Sequence, residues 1–408
     1  MSARGSTTTD RSDQVDVLAL IDHFVLGGAE TLLSRFALAA PSAGIRLSVA
    51  CLAELDGNPA AAPLEQAGIA PVNLNLYGRP GPHALRAVRA HIARVRPQIV
   101  HTHLGTSDLL GSLAARSLRV PAICTVHTTL WSRRRDVFKR RLVQACTERV
   151  VTVSESAREA YLDRGWGRPD QVVTIHNGMD MTPAVGAGAE VRRELGIAPD
   201  ALVVVMVSAL RTEKAHDVAI EAIRILRPRF PRLRLVIAGQ GAMRDSIACA
   251  ARDLGDSVVL AGLRPDVMRV LDAADVCAHP SRRDAFPGTI IEAMAAGVPV
   301  IATATGGIPE ILTTSESGVL IPAPPEPGPL SAALADLLSR PERRKAIAAA
   351  ARASYERRFT AGPWVSRIRA LYDEVIAEAA SKRQRQRGSE PSPPCSRHRY
   401  VGSAHAEP

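Results

Sequence analysis

The stretch HPSRRDAFPGTIIEAMAAGVPVIATATGGIPEIL, residues 279–312, holds two carboxylates whose placing suggests chemistry. Pro287 and Gly288 follow an apolar run and open a helical pattern. The free N–H groups and positive dipole end of such a start form an anion site that a phosphate would fit. Glu292, further along the pattern, is flanked by Ile290, Ile291, Ala293, Met294 and Ala295. An unpaired carboxylate among these is costly to bury, so it must face a cleft or a partner. Asp284 lies eight residues earlier, in the loop before the helix, so both acids can reach one polyhydroxylated ligand. The same two residues fit a salt bridge and a solvated loop acid equally well.

Three further groups of residues carry chemical potential. Lys214 and Arg211 sit in SALRTEKAHDVAIEAI, residues 208–223, directly after an apolar run; taken alone, a lysine at a helix start is as often solvated as functional, and a lone loop arginine is commonly just solvated. Gly27 and Gly28 in GGAE permit close backbone approach to a phosphate or sugar, or simply make a tight strand-to-helix turn. His101, His103 and His127 end apolar runs, and His176 stands in HNGMD. No cysteine or carboxylate completes a recognisable ligand spacing around these histidines, so no metal is expected.

The elements that must position these residues alternate regularly. Apolar, often β-branched runs VLALI (17–21), LSVACL (47–52), VNLNL (72–76), QIVHTH (98–103), AICTV (122–126), RVVTV (149–153) and VVTI (172–175) are separated by Ala/Leu/Arg-rich helical stretches. After a Gly/Pro/Ala-rich break, TPAVGAGA (182–189), the rhythm restarts with LVVVMV (202–207), LRLVIAG (233–239), VVLAG (258–262), DVCAH (275–279), VPVIAT (298–303) and GVLIP (318–322). This is the βαβ pattern of an α/β protein with parallel sheets. It predicts a disordered start at 1–14, a first Rossmann-like lobe at 15–182, a second at 183–362, a closing helix at 363–380 and a disordered basic tail at 381–408. Ligands of open parallel sheets bind at the carboxyl ends of the strands, which places a cleft between the lobes. No GxGxxG follows any strand, which disfavours a dinucleotide oxidoreductase; GQG (239–241) is the nearest approach.

At 408 residues the chain exceeds one ordinary core, which agrees with two lobes. Only 14 residues are aromatic (3 Trp, 5 Tyr, 6 Phe), too few for rows of rings that stack bases, so no nucleic-acid partner is expected. The six scattered cysteines form no CxxC pair and read as reduced cytosolic thiols. No run is apolar enough to cross a bilayer, and the first residues lack the apolar core of a signal peptide. The net charge of +10 is concentrated in residues 131–149 and 381–408. In the former, Phe138, Leu142 and Ala145 share one helical face, with Arg134, Arg135, Lys139 and Arg140 largely elsewhere. That pattern fits an interfacial helix on an anionic membrane surface, and also a solvated face over an ordinary core stripe. The expected location is therefore cytoplasmic, with a peripheral position on the inner face of the membrane as its extension.

The acid-x7-Glu spacing of Asp284 and Glu292, followed by EAMAAGVPVIAT and GGIPE (306–310), resembles the GT-B glycosyltransferases of family 4 over roughly residues 15–380. The resemblance implies two Rossmann-like doubly wound lobes facing a central cleft, with the C-terminal helix packing back on the first lobe. It implies a retaining enzyme that moves a sugar from a nucleotide donor, expected to be a UDP-sugar, to a hydroxyl of a glycan, lipid-linked or small-molecule acceptor, with no cofactor. Glu292 would bind the nucleotide ribose and Asp284 the donor sugar, with Asp one methylene shorter than the family's usual Glu. Lys214 matches the diphosphate-binding lysine, whereas Ala209 replaces the family's arginine, a loss that Arg211 would make good. Phe286, Pro287, Gly288 and Thr289 would line the donor pocket, with Gly27 and Gly28 opposite. His127, in TVHTT (125–129), would reach the donor sugar and reaction centre. His103 is an acceptor-side candidate or a structural residue, and Asn177 and Gly178 match an interdomain turn. A nucleotide-sugar epimerase of the same architecture and a non-catalytic sugar-nucleotide binder are the rival readings.

Overall fold

The computed structural model describes residues 13–24, 27–53, 62–77, 81–128, 134–314 and 316–388. The first series of apolar runs forms β1 (Val15–His23), β2 (Ile45–Ala53), β3 (Val72–Asn73), β4 (Ile99–His103), β5 (Ala122–Val126), β6 (Arg149–Thr152) and β7 (Val172–Thr174). The second forms β8 (Leu202–Val207), β9 (Leu233–Ala238), β10 (Val258–Gly262), β11 (Val276–His279), β12 (Val300–Thr303) and β13 (Val319–Ile321). Every pairing is parallel. Central strands such as β4, β5, β11 and β12 are buried along their whole length, because helices cover both faces of each sheet.

Strand order decides where a ligand can enter. The sheets run β3-β2-β1-β4-β5-β6-β7 and β10-β9-β8-β11-β12-β13. The order reverses between β1 and β4 in one sheet and between β8 and β11 in the other, and a crevice opens outside the strand ends at such points. The loops leaving these four strands carry GGAE, HTHLG, SALRTEK and HPSRRDAFPG. Most of the candidate residues thus sit at a switch point, with His127 one strand away, after β5.

The chain passes between lobes twice, and the passages are bonded to each other. Met179 N–H donates to Phe359 C=O (2.9 Å), Ala361 N–H to Asp180 Oδ1 (2.9 Å), and the Tyr355 hydroxyl to Met179 C=O (3.0 Å). The returning chain then forms a long helix, Ala361–Gly388, fastened to the first lobe. Trp364 meets Phe36 edge-on at 5.2 Å, Arg369 reaches the carbonyls of Ala43 and Gly44, and Arg149 pairs with Glu374 and Glu378 at 2.6 Å each.

Several local expectations change. The closing helix runs on to Gly388, because SKRQRQR is made of good helix formers; residues 1–12 and 389–408 lie outside the described residues. β3 stops at Asn73, since Asn75 takes φ +53° and donates its N–H to Asn73 Oδ1, a turn that ends the VNLNL run early. GQG has a packing role: a Cβ on Gly239 would lie 1.9 Å from the Ser208 carbonyl oxygen, so only glycine lets this loop pass over the one after β8. The basic helix spans Arg134–Cys146, with Phe138 74% exposed and Val143 and Cys146 buried. Its Arg140 turns inward and pairs at 2.8 Å with Asp108, itself 1% exposed, so Arg140 does not belong to an outward basic face. A lone Asp108 could not be buried without that partner.

Candidate active site

At the second switch point a strand end, a loop and a helix start supply a charged cluster. Lys214 stands at the end of a short turn (Thr212–Lys214) after β8, and Asp284 in the loop after β11. Lys214 Nζ donates to Asp284 Oδ2 at 2.5 Å, and the same oxygen lies 2.9 Å from His279 Nε2. His279, the last residue of β11, is 2% exposed on its side chain and also meets the Ser281 hydroxyl at 3.0 Å. Burial alone would raise the Asp284 pKa; the hydrogen bond from His279 and the charge of Lys214 outweigh it and hold the carboxyl at about 2. Burial in turn lowers the pKa of His279. The backbone beneath Asp284 needs glycine: Gly306 has φ +54°, and a Cβ there would lie 1.8 Å from the Asp284 carbonyl oxygen. GGIPE therefore begins with two glycines because its loop threads under Asp284 and Ala285.

Glu292 belongs to the helix Gly288–Ala296, whose N-cap is Pro287. Gly288 and Thr289 are partly exposed at that start, so their N–H groups are open to a ligand. No protein hydrogen bond to the Glu292 carboxyl occurs among the described residues. Burial pushes its pKa up, with the charge of Arg35, from the first lobe's helix Gly28–Ala39, acting in the opposite direction. Such an acid is poised for a hydroxylated ligand rather than for an internal ion pair.

The first switch point has a different character. Gly27 is the N-cap of the helix Gly28–Ala39 and Gly28 its exposed first residue. A Cβ on Gly27 would meet the Glu30 carboxylate, which folds back under the turn and pairs with His23 at 3.2 Å. His101, His103 and His127 form a contiguous group. His101 lies 2.6 Å from the Tyr372 hydroxyl through Nδ1 and 2.7 Å from Thr125 Oγ1 through Nε2. His103 Nδ1 lies 3.0 Å from His127 Nε2. Burial drives all three pKa values down, to about 3 for His101 and about 4 for His127, so all three rings are neutral at pH 7.

Among the expected residues, Lys214 and Asp284 are brought into contact, with Pro287, Gly288, Thr289 and Glu292 on the helix that follows the Asp284 loop. Arg211 stands apart: its side chain is 64% exposed and its ion-pair partner is Glu213 at 3.9 Å. Arg282, another nearby cation, is held by Asp217 at 2.6 Å. The Phe286 ring is 6% exposed, stacked on His176 at 4.9 Å and edge-on to Phe359, so only its backbone is left for a ligand. His176 also pairs with Glu310, which accepts the N–H groups of Glu155 and Ser156 in the first lobe at 2.8 and 2.9 Å. Asn177 and Gly178 lie in the passage between lobes; a Cβ on Gly178 would lie 2.4 Å from the Thr360 carbonyl oxygen. Sequence reasoning missed His279, Glu310 and Tyr372. His279 had a legible signal, a histidine closing an apolar strand five residues before an acid, whereas the partners of Glu310 and Tyr372 are over a hundred residues away.

Among the described residues no group of three or more His, Cys, Asp or Glu side chains is arranged to hold a metal ion, and no helix is long and apolar enough to cross a membrane.

Comparison with known proteins agrees with this arrangement. The family described as Glycosyltransferase Family 4 matches residues 26–182, and that described as Glycosyl transferases group 1 matches residues 189–354. The chain is 32% identical to a D-inositol 3-phosphate glycosyltransferase of Actinosynnema mirum, over 61% of this chain and 66% of the relative. It is 31% identical to one of Kineococcus radiotolerans, over 72% and 74%. The match thus spans about two thirds to three quarters of these relatives. Among solved structures, Anabaena HepE in complex with UDP and glucose superposes with a TM-score of 0.75 at 23% identity, covering 90% of this chain and all of that one. A glycosyltransferase from Rickettsia africae gives 0.76 at 18%, covering 89% and 99%. With two parallel-sheet lobes, a motif at every switch point and both halves matched, the chain is an enzyme of glycosyltransferase family 4 with the GT-B fold.

Proposed function

We propose that the protein is a retaining transferase that takes a sugar from a UDP-sugar and places it on a hydroxyl group of a small polyol phosphate, glycan or lipid-linked acceptor. The observation that carries the reading is the division of labour around the second switch point. Lys214, Asp284 and His279 are held rigidly by one another, while Glu292 and the start of its helix are left open. A ribose offers two hydroxyls to Glu292, and a diphosphate fits the helix start and the Lys214 ammonium, which has three donors and uses one on Asp284. HepE was solved with UDP and glucose, and the curated relatives are named for an inositol phosphate, which supports the donor and acceptor classes. Ala209 and the exposed Arg211 leave the leaving group chiefly to Lys214 and backbone N–H groups.

In the proposed reaction the acceptor oxygen bonds to the anomeric carbon from the leaving-group face. The bond from that carbon to the phosphate oxygen breaks, and its electron pair stays on the diphosphate. The acceptor proton passes to the departing phosphate, so the protein's task is positioning and charge stabilisation. The test is thermal stabilisation by UDP, UDP-glucose, UDP-N-acetylglucosamine and GDP-mannose, then UDP release with inositol phosphates, in buffer with excess chelator. Acceptor-dependent UDP release is expected. Donor isomerisation without UDP release would establish the epimerase reading, and binding without turnover on any acceptor the non-catalytic one.

We also propose that the helix Arg134–Cys146 meets anionic membranes through Phe138, Lys139 and Arg141, which face solvent. Phe138→Glu with Arg141→Glu should abolish co-sedimentation with vesicles containing phosphatidylserine at low salt, roughly 1 kcal/mol being lost per basic side chain. Binding that survives both changes would refute it.

A further inference from the structure

The histidine group at the first switch point holds an asymmetry that decides what His127 can do. β4 and β5 are paired with His103 beside Thr125, which brings His127, two residues on, within reach of His103. The His103 ring is 4.3 Å from that of His101 and tilted 33° to it. His101 is immobilised at both nitrogens, by Tyr372 of the closing helix and by Thr125. His103, 7% exposed, therefore rests on a fixed floor, with Nδ1 directed at His127 Nε2 and Nε2 buried with no hydrogen-bond partner among the described residues. Beside it is a cavity of about 20 Å³, lined by Leu32, Phe36, Thr125, Asn177 and Trp364 among others. That is room for at most a single water.

We propose that His103 is a positioning residue for His127, fixing which of its nitrogens carries the proton. The argument rests on the reading that His127 meets the donor sugar. With both rings neutral, only two arrangements satisfy the 3.0 Å contact. If His127 Nε2–H donated, His103 would carry its own proton on the buried, unpartnered Nε2. If His103 Nδ1–H donates, that buried nitrogen is a bare acceptor instead. Orphaned buried N–H groups are the rarer and more costly outcome. His103 therefore donates, and His127 keeps its proton on Nδ1, which has no protein partner among the described residues. His127 then presents an N–H donor, suited to a sugar hydroxyl or phosphate oxygen, and its Nδ1 cannot serve as a base at neutral pH.

The test is ¹⁵N-histidine NMR of the full chain with His127 assigned, alongside UDP-glucose hydrolysis. In the unmodified protein His127 should be the Nδ1–H tautomer; an Nε2–H ring overturns the proposal without any variant being made. His103→Leu should release His127 into a tautomer mixture and lower kcat about tenfold, with KM for UDP-glucose little changed. His103→Asn places an amide where Nδ1 stood and should restore the Nδ1–H tautomer and most of kcat. An unchanged His127 tautomer in His103→Leu overturns the proposal whatever the activity. A shifted tautomer with unchanged hydrolysis overturns its role in turnover. If UDP-glucose neither stabilises nor is cleaved by the unmodified protein, the donor reading fails separately, and the tautomer still decides the pairing.

Discussion

The two switch points have the same strand arrangement and opposite chemistry. At the first, the group facing the cavity is neutral: three imidazoles kept uncharged by burial, a tyrosine, a threonine and apolar side chains, with the nearby Glu30 carboxylate folded under the glycine turn onto His23. The second is ionic: a lysine and an aspartate in contact, with a glutamate on the helix that follows the loop. A site that must hold a diphosphate needs fixed charge, whereas a site that orients hydroxyls needs directional donors whose protonation does not vary. On the proposed reading, donor recognition is mainly electrostatic and the first lobe contributes geometry.

The largest effect should follow from Glu292→Ala. Losing charge-assisted bonds to two ribose hydroxyls, at roughly 1.5–3 kcal/mol each, should lower kcat/KM by about 10²–10⁴-fold. The same change removes an acid whose burial disfavours its charge, so Tm without donor should rise. A variant that keeps its turnover would detach the ribose from the ionic side.

Acid should separate the two regions next. His101, His103 and His127 have folded pKa values below their unfolded value of about 6.5, so their stability contribution is complete above that pH. It is lost as pH falls towards 4 and 3, because the unfolded rings take up protons that the folded ones refuse. At pH 5 this amounts to roughly 2 kcal/mol for His101. Asp284, held at about 2, contributes fully above about pH 4 and loses its contribution only as pH falls through 2. His279, which ends β11, is also kept uncharged by burial, so β11 loses some stability in the same range. Hydrogen exchange at pH 5 should therefore show β4 and β5, next to three such rings, losing more protection than β11, and equal loss in both would break the comparison.

His279→Leu should free Asp284 to turn away from the cleft and lower kcat by about tenfold, the effect of one hydrogen bond to a charged group. His279→Gln should recover part of it through its amide. The smallest effect is expected for Arg211→Ala, roughly threefold on kcat, because the guanidinium is largely exposed. A fall of a hundredfold would mean that the loop after β8 folds over the diphosphate when the donor binds, and Ala209→Arg should then rescue it.

The ionic region was the more legible in the sequence for a physical reason. Much of its chemistry is local: Asp284 and Glu292 are spaced by one loop and the start of one helix, the glycines beneath Asp284 follow one strand later, and an acid in an apolar helix is conspicuous, whereas Lys214 comes from 70 residues away. The strand positions were equally open to reading, because buried parallel strands are continuous apolar runs. His103 and His101 were visible as histidines ending a strand, but their roles depend on Thr125, His127 and Tyr372, which only the sheet register and the returning helix bring near. Phe286 stood within the donor motif, yet its ring joins the lobes through His176, a contact that no local spacing announces. Arg140 was misread because periodicity cannot tell which arginine has a buried acid waiting on a neighbouring helix.

The doubled passage between the lobes also governs how such proteins can be recombined. Because Trp364, Arg369 and Tyr372 follow the second sheet in the chain but pack on the first, a gene fusion joined only near residue 182 would import a foreign helix against Phe36, Gly44 and His101. A workable chimaera needs a second splice near residue 360, returning the native helix to its own sheet. Inheritance of a new donor specificity by exchange of the later half would then require two crossovers rather than one.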